Sequence, residues 1–283
     1  MTFVWLDGAL QPREEAHLSV DDLAVLYGAA CFETMRAFGG VVFRLDRHLD
    51  RLHEGLDAIH VSPPARDVLR SAIAAALSAN GLREARIRLT VTPGRGVGRP
   101  DLRAANGPTV LIVAEPAPDD PEPARVAVAS LRIDEARPLA FAKTAHYLLS
   151  LLALDEARSA GCDEALLLNR FDRVAEGATS NVFAVLDGRL LTPPLVDGPL
   201  PGVTREAVLE CAARLALPAG ERSLTLEDLA AAEELLLTNS VVGVRSVASI
   251  AGRWFAPAAP GPITAALQVE YRRLVGRECG IEE

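Results

Sequence analysis

The stretch F-A-K-T-A-H-Y, residues 141–147, contains Lys143, the only lysine of this 283-residue chain; every other member of its 29 Lys and Arg residues is an arginine. Arginine can replace lysine where only positive charge is needed, but a guanidinium stays protonated and cannot condense with an aldehyde, as a primary amine can. The neighbouring apolar residues would lower the pKa of the ammonium group. The alternative is a surface lysine without a role. We predict that Lys143 carries chemistry and that the fold is organised around it.

The composition indicates a globular protein with sizeable cores, since 49% of the residues are hydrophobic and 24% are charged. A net charge of −9 argues against a nucleic-acid partner, because no basic face would neutralise phosphates. The cysteines are far apart and form no C-x-x-C pair, so we expect buried thiols and predict neither a disulfide nor a metal site. No signal peptide and no membrane-spanning apolar run is recognisable, so a soluble, cytoplasmic protein without a membrane partner is expected.

One segment is typical of a linker. P-A-P-D-D-P-E-P, residues 116–123, combines prolines with acids and cannot pack as a helix or a strand. We therefore predict an N-terminal domain over residues 1–115, a linker over 116–123 and a C-terminal domain over 124–283.

The hydrophobic patterns predict both helices and strands. Residues 86–92 alternate strictly between apolar and polar side chains, as in a half-buried strand. The apolar residues Leu49, Leu52, Leu56 and Ile59 keep helical spacing. The two kinds of pattern intermix without the regular βα alternation of a parallel sheet. The predicted fold class is therefore α+β, or mixed α/β.

Three stretches of the second half offer groups for a ligand. E-G-A-T-S-N-V-F (176–183) places an acid before a strand, and P-G-V-T-R (201–205) opens a helix whose free amides favour a phosphate. T-N-S (238–240) ends an apolar strand with hydroxyls and an amide. Singly, these groups read as a solvated glutamate, a helix cap and a strand end. Together with a reactive amine they indicate a cofactor with an aldehyde, a phosphate and a basic ring nitrogen, which describes pyridoxal 5′-phosphate, PLP.

The chain resembles the class IV aminotransferases, the fold-type IV PLP enzymes, over nearly its whole length. The motifs that carry the resemblance follow the family's order: Y-G-A-A-C-F-E (27–33), F-R-L-D-R-H-L-D-R-L (43–52), the Lys143 segment, E-G-A-T-S-N-V-F (176–183) and P-G-V-T-R (201–205). The resemblance implies a two-domain fold, with a smaller N-terminal α+β domain and a larger C-terminal barrel-like domain. It also implies a homodimer.

The resemblance implies residue roles as well. Lys143 would bind the cofactor aldehyde and act as general base, Glu176 would keep the ring nitrogen protonated, and Arg51 would bind the phosphate. The other residues expected at the cofactor are Leu200, Val203, Thr204, Asn239, Ser240 and Tyr147. Tyr147 would meet the phenol oxygen or simply pack in its helix. The residues expected at the substrate are Tyr27, Phe32, Arg95 and Arg99. The two loop arginines would bind a carboxylate or lie in solvent.

Two reactions would use these same residues. Residues 237–245, L-T-N-S-V-V-G-V-R, are more similar to 4-amino-4-deoxychorismate lyases, so we favour a lyase that releases pyruvate and forms the folate precursor 4-aminobenzoate. Against it, residues 98–101 lack the aromatic frequent in such lyases, and G-A-A at 28–30 replaces Gly-Asp-Gly. The alternative is an aminotransferase of D-amino acids or branched-chain amino acids. A non-catalytic PLP-binding protein is a third reading, against which the joint presence of Lys143 and Glu176 argues.

Overall fold

The computed structural model of the chain describes residues 1–96, 98, 101–250, 253–254 and 260–281. Across these residues there are seven α-helices and fifteen β-strands. The helices are α1 (Leu23–Tyr27), α2 (Leu45–Ala58), α3 (Arg66–Ala79), α4 (Leu148–Ser159), α5 (Val203–Arg214), α6 (Leu226–Ala231) and α7 (Pro262–Cys279). The strands are β1 (Phe3–Leu6), β2 (Ala9–Pro12), β3 (Cys31–Phe38), β4 (Val41–Val42), β5 (Ala85–Thr92), β6 (Thr109–Pro116), β7 (Ala124–Ile133), β8 (Glu164–Asn169), β9 (Val174–Gly177), β10 (Asn181–Leu186), β11 (Arg189–Thr192), β12 (Ala219–Glu221), β13 (Glu234–Asn239), β14 (Gly243–Ile250) and β15 (Arg253–Trp254).

The chain divides by its contacts into two compact units. The first unit contains Met1–Pro118, Phe141–His146 and Glu278–Glu282, and the second contains Asp119–Ala140 and Tyr147–Arg277. The division after Pro118 falls within the segment predicted as a linker. The lysine segment, however, joins the first unit and not the domain predicted over 124–283, because its backbone bonds to the start of β3. The Phe32 amide donates to the Lys143 carbonyl at 2.9 Å, and the Ala145 amide donates to the Ala30 carbonyl at 2.9 Å.

The first unit is built on an antiparallel sheet in the order β2-β1-β6-β5-β3-β4. The predicted alternation of residues 86–92 is observed, since Ile87, Leu89 and Val91 of β5 are fully buried. They belong to a core that includes Leu49 of α2 and Ile73 of α3. Removing this apolar surface from water stabilises the unit. Strand β3 pairs with β5 from Cys31 to Ala37, and this pairing fixes the side chains at its start.

The second unit has a mixed sheet in the order β12-β11-β10-β13-β14-β7-β8-β9, with β15 on β14. The pairings β11–β12, β14–β7 and β7–β8 are parallel. Helix α4 packs on β7 and β8, and α5 packs on β13 and β14. The observed folding of helices onto two sheets without regular βα alternation confirms the predicted mixed α/β class.

Helix α7 begins on a buried carboxylate. Glu234 accepts the Ile263 amide at 3.0 Å on Oε1 and the Thr264 amide at 2.7 Å on Oε2. These amides have no partner within the helix, and a negative charge at a helix N-terminus is favourable. Glu234 therefore fixes where α7 starts. No helix of the described residues is long and apolar enough to cross a membrane.

Candidate active site

Lys143 lies next to the start of β3, where the two backbone hydrogen bonds described above hold its segment. Its Nζ lies 4.7 Å from the centroid of the Phe32 ring. The guanidinium carbon of Arg88, on β5, lies 3.8 Å from the same centroid. Phe32 is only 3% exposed, so its ring is held in place by packing and makes cation–π contacts with both side chains. The structure thus brings together the predicted residues Lys143 and Phe32 and adds Arg88, which sequence reasoning had not selected.

Arg51 of α2 is held by a buried carboxylate. Its Nε donates to Glu33 Oε1 at 2.8 Å, and its NH2 donates to Glu33 Oε2 at 2.6 Å. His48 Nδ1 lies 2.7 Å from the same Oε2. Arg51 is 8% exposed, His48 1% and Glu33 0%. Such a bidentate contact fixes the plane of the guanidinium, so Glu33 determines the orientation of Arg51.

The charges in this cluster follow from its contacts. Burial alone would raise the pKa of Glu33, but the charge of Arg51 and the hydrogen bonds from His48 and Arg51 outweigh burial and lower the pKa to about 2. Burial lowers the pKa of His48; Glu33 opposes this, while the charges of Arg51 and Lys143 lower the pKa further. At neutral pH Glu33 is therefore ionised and His48 is neutral. The proton between them lies on His48 Nδ1, which donates to the carboxylate.

Glu176 occupies β9 in the second unit, with a side chain that is 16% exposed. The Leu200 amide donates to its Oε2 at 2.9 Å. The NH2 of Arg137 lies 3.8 Å from its Oε1. The Leu200 carbonyl in turn accepts Asn181 Nδ2 at 2.8 Å, so the backbone of Leu200 is held on both sides. The carboxylate is therefore fixed in position and faces a cation.

The beginning of α5 fits a phosphate group. Gly202 is its N-cap, and no side chain of the described residues caps it. Thr204 is 2% exposed, and its Oγ1 has no hydrogen-bond partner in the part of the chain that the structure describes. The same is true of Oγ1 of Thr238, on β13, against which α5 packs. A buried hydroxyl without a partner costs about 1–3 kcal/mol, and phosphate oxygens would remove that cost.

Other residues predicted at the cofactor are engaged within the protein. The Tyr147 hydroxyl donates to the Ala178 carbonyl at 3.1 Å. Asn239 Oδ1 accepts the amides of Val241 and Val242 at 3.0 Å, and its Nδ2 donates to the Thr179 carbonyl at 3.3 Å. Asn239 thus shapes the turn that carries Ser240, which is partly exposed. This turn also gives a structural reason for the Asn-Ser pair on which the lyase prediction rested.

The loop residues predicted to contact the substrate are exposed where the structure describes them. Tyr27 ends α1 and is 48% exposed. Arg95 is exposed, and its backbone amide donates to Asn106 Oδ1 at 2.8 Å. Arg99 lies outside the described residues. Sequence reasoning missed Arg88, although the strict alternation of residues 86–92 places its side chain on the polar face of β5.

Comparisons with known proteins identify the family. A family model for class IV aminotransferases matches residues 30–250. The chain is 35% identical over 275 residues to a putative branched-chain-amino-acid aminotransferase of Methanocaldococcus jannaschii, covering 95% of each chain. It superposes with a TM-score of 0.92 on the branched-chain aminotransferase of Thermoproteus uzoniensis, at 36% identity, covering 100% of this chain and 96% of that one.

The chain is less similar to a lyase than to these aminotransferases, in both sequence identity and TM-score. The structure of a putative 4-amino-4-deoxychorismate lyase of Legionella pneumophila has a TM-score of 0.84 at 24% identity, covering 92% of this chain and 96% of that one. At that identity the likeness shows the fold alone. The favoured lyase prediction is not supported, whereas the aminotransferase alternative is. The chain belongs to the class IV aminotransferases, enzymes whose cofactor is pyridoxal 5′-phosphate.

Proposed function

We propose that this protein is an aminotransferase that acts on branched-chain amino acids and transfers their amino group to a 2-keto acid. The observation that carries the proposal is the 35% identity to the Methanocaldococcus jannaschii protein, named as a putative enzyme of this kind, over 95% of both chains. The structure of the Thermoproteus uzoniensis enzyme with norvaline, an amino acid with an apolar side chain, supports an apolar substrate.

The residues that would hold PLP are those predicted from the sequence. The bound cofactor supplies a ring that withdraws electrons from the substrate. Lys143 would bind its aldehyde, and once freed its Nζ would serve as the general base that removes a proton from the substrate carbon bearing nitrogen and later returns it. The carboxylate of Glu176 would keep the ring nitrogen protonated. Arg51, oriented by Glu33, would bind the phosphate.

The remaining roles are those that the family resemblance implies. Val203 and Thr204 bind the phosphate through the first turn of α5, where amides and an unsatisfied hydroxyl favour an anion. Leu200 would pack against the ring. Further cofactor contacts are assigned to Asn239 and Ser240 through their turn and to Tyr147 through its hydroxyl oxygen.

We assign the substrate carboxylate to Arg88 because its guanidinium contacts the ring that Lys143 also contacts. Phe32 then forms an apolar wall for the side chain of the amino acid. Tyr27, Arg95 and Arg99 stay predictions for the substrate pocket. We also infer a homodimer, as the family resemblance implies, and size-exclusion chromatography with light scattering tests it.

Spectra of the purified protein test the proposal. We expect PLP to give a visible absorption band, L-leucine to bleach it, and a branched 2-keto acid with pyridoxamine 5′-phosphate to restore it. D-alanine and 4-amino-4-deoxychorismate should act much more slowly. Formation of 4-aminobenzoate from the latter at a rate comparable with leucine turnover would reject the proposal in favour of a lyase.

A matched pair of variants tests the substrate assignment. Arg86 and Arg88 lie on the same face of β5, but Arg86 is exposed and pairs with Glu115 at 3.9 Å. We expect Arg88→Gln to raise KM for L-leucine about tenfold or more, since a charged hydrogen bond to the substrate is lost. Arg86→Gln should leave KM unchanged. Equal effects of the two changes would remove Arg88 from the site.

A further inference from the structure

An arginine that belongs to none of the motifs above faces the carboxylate of Glu176. The NH2 of Arg137 lies 3.8 Å from Glu176 Oε1, and the arginine side chain is 33% exposed. The carboxylate is therefore held between a guanidinium on one oxygen and the Leu200 amide on the other.

Arg137 is itself fixed at this place. Its NH2 donates to the Gly198 carbonyl at 3.1 Å, and its NH1 donates to the Asp134 carbonyl at 3.2 Å. Gly198 has a φ of +98° and packs closely on the same segment, since a Cβ there would lie 3.1 Å from the Glu135 Cα. The hydrogen bonds to these two closely packed loops therefore fix the position of the guanidinium.

The neighbouring charges of this segment are balanced by another cation. Arg170 Nε lies 2.6 Å from Glu135 Oε1 and 3.9 Å from Asp134 Oδ1. Desolvation would raise the pKa of Glu135, but a hydrogen bond from its own backbone amide, together with the hydrogen bond and the charge of Arg170, lowers it. Asp134 and Glu135 therefore have a cation of their own, while Arg137 directs its charge to Glu176.

We propose that Arg137 is a positioning residue that keeps Glu176 ionised, so that the proton shared with the cofactor stays on the ring nitrogen. The inference rests on the proposed function, which assigns Glu176 to that nitrogen. A cation beside a carboxylate favours its charged form. The guanidinium therefore favours a negative carboxylate and a protonated ring over a neutral pair, and a protonated ring withdraws electrons more strongly.

Two replacements separate charge from hydrogen bonding. Arg137→Gln keeps a donor for the Gly198 carbonyl and removes the charge, whereas Arg137→Lys keeps the charge. With PLP labelled with 15N at its ring nitrogen, we expect the NMR signal of the protonated form in the wild type and in Arg137→Lys. In Arg137→Gln the signal should move toward that of the neutral ring. A merely structural role would not produce this difference.

A double-mutant cycle shows whether Arg137 acts through Glu176. We expect Arg137→Gln to weaken PLP binding about three- to fivefold, a modest effect because the pair is partly exposed. In a Glu176→Gln background the same change should have no effect. An equal effect in both backgrounds, or an unchanged ring-nitrogen signal, overturns the inference. A wild-type protein that forms no visible band with PLP would instead overturn the proposed function.

Discussion

Replacing Thr204 by valine should stabilise the PLP-free protein against unfolding and weaken its binding of PLP. The Thr204 hydroxyl is buried and has no hydrogen-bond partner in the described part of the chain. Valine has nearly the same shape and removes the unsatisfied group, which costs about 1–3 kcal/mol. We therefore expect Thr204→Val to raise the free energy of unfolding of the PLP-free protein by about 1 kcal/mol.

The bound state should show the opposite effect. A hydrogen bond to a charged phosphate contributes about 1.5–3 kcal/mol, which corresponds to an increase of about 10- to 100-fold in the Kd for PLP. Urea unfolding of the PLP-free protein measures the first effect, and titration of the visible absorption band measures the second.

Thr225 offers the matched control. Its Oγ1 accepts the Asp228 amide at 3.2 Å as the N-cap of α6, so this hydroxyl is satisfied. Thr225→Val should destabilise the protein by about 1 kcal/mol and leave PLP affinity unchanged. If Thr204→Val destabilises the PLP-free protein like the control and binds PLP normally, then Thr204 has a structural role and the phosphate assignment to α5 is wrong.

Four further changes have expected outcomes. Lys143→Arg should abolish both turnover and the visible band with PLP, because a guanidinium cannot bond to an aldehyde; a normal band would exclude Lys143 as the cofactor lysine. Glu33→Gln should destabilise the protein by about 3 kcal/mol at pH 7, since it removes the buried negative charge that Arg51 and His48 contact. The pKa of Glu33 is lowered from 4.5 to about 2, so the contribution of its charge to the free energy of unfolding is complete above pH 4.5 and is lost as the pH falls toward 2. Urea unfolding should therefore show a smaller difference in stability between the wild type and Glu33→Gln at pH 3 than at pH 7. Gly202→Ala should weaken PLP binding and lower the unfolding midpoint, because a Cβ would overlap Asn181 Oδ1. Glu234→Ala should lower the free energy of unfolding by about 1–3 kcal/mol, because it leaves two amides of α7 without their acceptor. Faster amide hydrogen exchange at the start of that helix would show the effect.

The sequence predicted those parts of the site that depend on residue type within a short motif. A single amine in a chain otherwise free of lysine, an acid before a strand and a helix start with Gly and Thr each have chemical meaning without the fold. The strict alternation of residues 86–92 likewise predicted the buried face of β5. These features are local, because helix and strand periods determine which side chains share a face.

Other features depend on contacts between distant segments and could not be predicted. Arg51 and Glu33 lie on a helix and a strand, and nothing in their spacing indicates a bidentate contact. Arg137 belongs to none of the sequence motifs. The lysine segment was assigned to the second domain because it follows the linker, but its hydrogen bonds to β3 place it in the first unit. In residues 237–245, a pattern that indicated a lyase also describes a turn stabilised by Asn239.

The buried polar groups discussed above are of two kinds: one contributes to the stability of the fold and the other to ligand binding. Glu33, His48 and Arg51 satisfy one another, so they contribute to the fold whether or not a ligand is present. Thr204 and Thr238 keep hydroxyls without partners in the described residues, which lowers the stability of the PLP-free protein. Because a ligand that binds only the folded state stabilises it by RT ln(1 + [L]/Kd), PLP should raise the unfolding midpoint strongly. In Thr204→Val that rise should be smaller, although the PLP-free protein starts from a higher midpoint.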